Sequence, residues 1–249
     1  MIYWNGCSFV QGHEIRDLSN SFVDIVSEHF DQDFYRNSKI GGSNDRIWRV
    51  STDDCLRKKP SLAIIVWSGI NRFEYLGKRD NTWRSAVWVE HRMNYDTLDL
   101  SPDSEVHFHR TLKRPEWEAL NGYATKVRYA TYNLIYTLHY MISLKYFFEA
   151  QKIPYLFYNM SDGQYGRILD RLDEARREGA NIDWDIVHMT KADYMRELPH
   201  MKEEAFYDMC KRHKVPFGPK DHPLEEGHRI MAKRIIDDIY KYELDKKIN

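Results

Sequence analysis

The chain has 249 residues, 42% of them apolar and 14% aromatic, and its 37 basic residues nearly balance its 38 acidic ones, leaving a formal charge of −1. That balance excludes a basic nucleic-acid footprint and an acidic tail. No apolar run approaches the ~18 residues of a membrane span. No basic-then-apolar leader opens the chain, so the expected setting is cytoplasmic, with neither membrane nor nucleic acid as partner.

Met1 to Trp4 is an apolar run long enough for a short buried strand. It breaks at Asn5 and Gly6, residues that permit unusual backbone angles. Ser8 then stands at a strand-to-helix turn, with Gly12 four residues on. A serine there can act as a nucleophile, because the first backbone N–H groups of the next helix face the same space. It can equally be a helix cap. Cys7 is a second candidate nucleophile, but its side chain should point away from a pocket that Ser8 faces.

Leu18, Phe22, Val23, Ile25, Val26 and Phe30 follow with helical spacing. Residues 33–36 suit a short second strand, and 37–44 form a loop containing Gly41 and Gly42. Ser43 or Asn44 can cap a helix over about 45–58, which Pro60 stops. The run Leu62, Ala63, Ile64, Ile65, Val66, Trp67 reads as a central strand covered on both faces. Gly69, Ile70, Asn71 and Arg72 come at its C-terminal end. Asn71 could hydrogen-bond a loop or a reacting oxygen; Arg72 could bind an anionic substrate or pair with Glu74.

Residues from about 75 to 120 mix tryptophans, charges and His107-Phe108-His109 without sustained periodicity, as a substrate-binding insertion would. His107 and His109 alternate as on a strand, but no third ligand accompanies them, so no metal site is expected. Residues 123–151 read as a long helix whose aromatic stripe is core packing, 153–160 as another strand, and 167–177 as an exposed helix of alternating charge. Near the end, Asp221-His222-Pro223 precedes Gly227-His228 and a last amphipathic helix from 224. His222 is either a turn residue or a general base, and His228 a packed helix-start residue. Cys7, Cys55 and Cys210 match neither a disulfide framework nor a zinc knuckle and read as reduced thiols.

Strands alternating with helices imply a mostly parallel sheet with helices on both faces. Ligands of such sheets sit outside the carboxyl ends of the strands. Ser8, Gly42 and Asn71 each follow a predicted strand and should gather there.

Four segments together resemble the SGNH hydrolases, the GDSL esterase/lipase family. Gly6-Cys7-Ser8 with Gly12 is similar to the nucleophile block, with Cys7 in place of aspartate. Residues 37–42 resemble the second block and Gly69-Ile70-Asn71-Arg72 the third, with Arg72 in place of aspartate. Asp221-His222-Pro223 with Gly227 resembles the block carrying the catalytic histidine. The resemblance covers about residues 1–75 and 210–240. It implies a three-layer α/β/α fold with a flavodoxin-like five-stranded sheet, here one domain over 1–249 carrying the insertion. It also implies a serine esterase without metal or organic cofactor, acting on a small-molecule or carbohydrate ester. Ser8 would be the nucleophile and His222 the base. Ser8, Gly42 and Asn71 would form the oxyanion hole. O-acetyl groups on a carbohydrate fit the aromatic-rich insertion.

The resemblance places aspartate three residues before the histidine, where this chain has Pro219. Asp221 is the nearby candidate, though neighbours in an extended chain point to opposite faces. Either the turn brings Asp221 round, or another carboxylate or a carbonyl orients His222, or the site is weakened. Two further readings are a non-catalytic carbohydrate- or protein-binding module on the same fold and a nucleotide-binding protein. The latter lacks any phosphate-cradling glycine motif.

Overall fold

Chain order in the computed structural model begins with β1 (Ile2–Asn5), α1 (Ser8–Gln11), α2 (Phe22–His29), β2 (Phe34–Arg36), α3 (Asn44–Lys58) and β3 (Leu62–Trp67). Five more strands follow: β4 (Arg72–Leu76), β5 (Trp83–Val89), β6 (Met93–Asn94), β7 (Asp99–Leu100) and β8 (Glu105–Phe108). Then come α4 (Ala130–Gln151), β9 (Tyr155–Asn159), α5 (Tyr165–Arg177), α6 (Lys191–Glu197), α7 (Phe206–Arg212), α8 (Glu225–Lys241) and α9 (Asp245–Ile248). The residues described are 1–70, 72–76, 83–89, 93–94, 99–100, 105–108, 118–119, 122, 130–161, 165–178 and 189–248.

β3 exposes none of its six side chains, as its unbroken apolar run requires. It lies between β1 and β9, with β2 outside β1, and all four pair in parallel in the order β2-β1-β3-β9. The expected sheet had five strands; among the described residues the parallel sheet has four. Alternate residues go to opposite faces. Ile2, Trp4, Ile64, Val66, Leu156 and Tyr158 join α2, α7 and α8 in one core. Tyr3, Ala63, Ile65, Trp67 and Phe157 join α3, α4, α5 and α6 in the other. The result is three layers, helix–sheet–helix. Each fully buried large aliphatic side chain contributes about 1.5–3 kcal/mol by leaving water.

α4 presents Leu134, Leu138, Met141, Leu144 and Phe148, all fully buried, at helical spacing. The aromatic stripe expected as core is therefore only partly so: Tyr136 is 37% exposed, and Tyr140 stacks on Trp48 at the margin. The region read as aperiodic contains an antiparallel sheet, β4-β5-β8, and a two-stranded ribbon, β6-β7. His107 pairs with Val87 across β5 and β8, whereas His109 lies outside the described residues. All three cysteines are unpaired and buried. Among the described residues, no helix is long and apolar enough to cross a membrane.

From β1 the chain leaves toward β2 on one side of the sheet, and later returns to β3 on the other. The strand order thus reverses between β1 and β3, the crevice where such sheets bind ligands. The turns carrying Ser8 and Gly69 open at this crevice.

Candidate active site

Asn5, the last residue of β1, is fully buried and organises the turn after it. Its Oδ1 accepts the Gly6 N–H at 2.7 Å, and its Nδ2 donates to Ser51 Oγ at 2.9 Å and to the Ile47 carbonyl at 3.2 Å. Arg46 reaches Asn5 Oδ1 and both oxygens of Asn37, so α3 clamps the first two loops together. Gly6 has no space for a side chain: a Cβ would stand 2.8 Å from the Val66 carbonyl and 2.4 Å from Val10 Cγ2. Cys7 then takes an extended conformation and turns its Sγ into the core, 3.2 Å from Met160 Sδ. Ser8 therefore faces the other way, as expected. It begins the single helical turn α1, which Gly12 closes in the left-handed region at φ 72°.

Ser8 Oγ lies 2.7 Å from His222 Nε2. His222 comes from a tight turn before α8, in which the Gly218 N–H donates to the His222 carbonyl at 2.8 Å and the Asp221 N–H to the Gly218 carbonyl at 3.0 Å. His222 Nδ1 lies 3.0 Å from Oε2 of Glu14. The Glu14 carboxylate also accepts the Lys220 N–H on both oxygens, at 2.9 and 3.0 Å, and the His222 N–H at 3.3 Å. Glu14 has a left-handed backbone, φ 74°, uncommon for a residue with a side chain. With its carboxylate on Nδ1, the imidazole carries its proton there and keeps Nε2 as the acceptor for the Ser8 hydroxyl.

The electrostatics agree with that assignment. Burial pushes the Glu14 carboxyl up, but the Lys220 N–H and the His222 ring and N–H outweigh it and hold it below the usual carboxylate range. Burial holds His222 below its ordinary value; the Glu14 hydrogen bond opposes that shift, and the charges of His13 and Arg72 add to it. His13 packs edge-on against His222, with ring centroids 4.9 Å apart.

Two expectations need correction. Asp221 does not hold the imidazole. Its φ is 59°, and its carboxylate turns outward to accept Tyr207 Oη and, at 3.1 Å, Lys211 Nζ. The carboxylate on His222 is Glu14, from the loop after Ser8. Gly42 does not offer a free oxyanion donor either, because its N–H is spent on the Lys39 carbonyl at 2.8 Å, closing a tight turn. Glycine is needed there for space: a Cβ would stand 2.9 Å from that carbonyl and 3.2 Å from the Gly6 carbonyl. The Ser8 N–H sits in the first turn of α1, where no carbonyl one turn back can accept it. Asn71 lies outside the described residues. Arg72 opens β4, and Glu74 pairs with Arg49 at 2.6 Å instead.

Of the two candidate caps of α3, Ser43 takes the cap position and Asn44 is the first helical residue. The Asn44 side chain makes a reciprocal pair with the Ser68 backbone, accepting the N–H at 2.8 Å and donating to the carbonyl at 2.9 Å. Tyr165 donates to the same carbonyl at 3.1 Å. These bonds fasten the loop that leads to Gly69. His228 is buried, as expected of a packed residue, with Nδ1 accepting the Phe22 N–H at 3.1 Å.

No protein-family model matches the chain, and no curated protein matches it in sequence. Similar solved structures include the psychrotrophic esterase EstA of Pseudoalteromonas sp., at 9% identity over 97% of each chain and TM-score 0.48. A lipolytic protein of the G-D-S-L family from Veillonella parvula is similar at 11% identity, over 95% of this chain and 96% of that one, with TM-score 0.44. An acetyl xylan esterase from Butyrivibrio proteoclasticus is similar at 10% identity, over 98% of this chain and 64% of its own, with TM-score 0.45. At such identities and scores the likeness decides nothing about this site, which stands on its own geometry.

Proposed function

We propose that this chain is a serine esterase that hydrolyses a carboxylic ester through an acyl-enzyme on Ser8. The observation that carries this reading is the relay of Ser8 Oγ, His222 Nε2, His222 Nδ1 and Glu14 Oε2, joined by contacts of 2.7 and 3.0 Å. Nucleophile, base and orienting carboxylate in that order are what acyl transfer requires.

In the first step Ser8 Oγ bonds to the ester carbonyl carbon as His222 takes its proton. Collapse of the tetrahedral intermediate breaks the bond to the alcohol oxygen, and His222 returns the proton to it. Water, activated by the same imidazole, then releases the acid and free Ser8. Glu14 keeps the imidazole in the productive tautomer and offsets its positive charge. The Ser8 N–H is one oxyanion donor, and the Asn71 side-chain amide, as the resemblance implies, is another. Loss of one such donor costs about 10²–10³ in rate. The aromatic residues within 75–120 favour an acetylated carbohydrate as the ester.

The test is reaction of the purified protein with a fluorophosphonate, followed by peptide mapping, in the wild type, Ser8→Ala and His222→Ala. Labelling at Ser8 that depends on His222 is the expected result. A folded protein that does not label would end the hydrolase reading in favour of a binding module.

A further inference from the structure

Arg72 begins β4 directly after the loop that leaves the C-terminal end of β3, beside the crevice that holds Ser8 and His222. Its Nε and Nη1 are buried and have no hydrogen-bond partner, and no ion pair joins it to a carboxylate among the described residues. Arg72 is half-buried, but two guanidinium N–H groups shut off from water without an acceptor are costly, and proteins retain them where something else supplies the acceptor.

Among the described residues, the neighbouring carboxylate on β4 is engaged elsewhere. Phe73 is buried, so Arg72 and Glu74 share the opposite side of β4. Glu74 gives Oε2 to Arg49 at 2.6 Å, and its N–H goes to Asp45 Oδ2 at 2.9 Å. Glu74 Oε1 is also buried without a partner, yet no ion pair forms with Arg72. The guanidinium nevertheless acts on the reacting centre, since its charge opposes protonation of His222.

We infer that Arg72 receives a carboxylate carried by the substrate, so that the preferred esters are acidic ones, acetylated acidic sugars among them. This rests on the esterase reading of Ser8 and narrows its substrate class. A substrate carboxylate supplies both the missing counter-charge and acceptors for the unfilled N–H groups, in a site where charge-assisted hydrogen bonds are strong. It can belong to the alcohol part of the ester or to the acyl part.

The experiment compares kcat/KM for three esters, each relative to its uncatalysed hydrolysis. Phenyl acetate is neutral, 4-acetoxybenzoate carries its carboxylate on the leaving group, and monophenyl succinate carries it on the acyl group. Wild type should favour one charged ester over phenyl acetate, and the ester that responds identifies the side. In Arg72→Gln the charged-to-neutral ratio should fall about 10- to 100-fold, mainly through KM. Arg72→Lys should recover part of it, because it keeps the charge without the planar fork. The inference is overturned if wild type favours phenyl acetate, or if Arg72→Gln slows all three esters equally.

Calorimetric binding of benzoate separates the two claims. Fluorophosphonate labelling with no effect of Arg72 on benzoate binding or on the ratio sinks only the carboxylate site. Benzoate binding that needs Arg72, in a protein that neither labels nor turns over, sinks only the esterase.

Discussion

Glu14 Oε2 stands 3.0 Å from His222 Nδ1, and the same carboxylate accepts the backbone N–H groups of Lys220 and His222. One side chain therefore orients the imidazole and pins the turn that carries it. In the proposed relay, nucleophile and acid come from one short segment after β1, and only the base is brought in from the far end of the chain.

Glu14→Gln and Asp221→Asn should have very different effects. Glu14→Gln removes the acceptor that fixes the tautomer and should lower kcat by about 10²–10⁴. Asp221→Asn breaks only exposed bonds to Tyr207 and Lys211 and should leave kcat within about twofold, since exposed pairs contribute little. Steady-state kinetics on phenyl acetate decide between them; the reverse order would return the role to Asp221.

The pH profile carries a second signature. His222 must be neutral to act as base, and burial holds it below its ordinary 6.5. Wild-type kcat/KM should therefore rise through a midpoint below 6.5 and level off above it. Glu14 raises this group, so Glu14→Gln should move the midpoint lower still while lowering the plateau. A midpoint that rises in the variant would contradict the relay.

Gly6→Ala should damage fold and activity together. The new methyl meets the Val66 carbonyl at 2.8 Å, and backbone cannot yield as a flexible side chain does. A cost of about 1–3 kcal/mol is expected from overpacking, with loss of Ser8 labelling as the turn shifts. Chemical denaturation read alongside labelling checks both.

Acid stability should depend on His228. Burial pushes it from its ordinary 6.5 to about 4, and its Nδ1 accepts the Phe22 N–H only when neutral. The unfolded chain binds this proton more readily than the fold, so stability is full above 6.5 and declines as pH falls toward 4. The loss from this residue is at most about 3 kcal/mol. His200, whose Nε2 is shut off from water, is pushed by desolvation to about 3 and acts in the same direction. Thermal melting across this pH range should show a shallower decline in His228→Asn.

Much of the architecture was legible because it is written locally. The β-branched run 62–67 became a strand buried on both faces, and the turn residues after β1 and β3 lie at one crevice. Ser8 and His222, proposed from separate short motifs, meet at 2.7 Å. The region 75–120 was less legible because its strands are antiparallel and separate from the main sheet, and their sequence carries neither an unbroken apolar run nor a sustained alternation. Glu14 was missed because the acid was sought beside the histidine in sequence. The available signal was a carboxylate two residues after the glycine that ends α1, on the loop already assigned to the nucleophile.

The sequence by itself determined the layered α/β class, the edge at which the candidate site forms, and the serine and histidine that meet there. Apolar periodicity and turn chemistry are short-range properties, so spacing along the chain suffices to read them. Only the tertiary structure decided which carboxylate reaches His222, that the Gly42 N–H is already spent, and that no carboxylate among the described residues pairs with Arg72. Those outcomes depend on placement to within a hydrogen bond's length between segments far apart in sequence, and on which of several competing partners each polar group meets first.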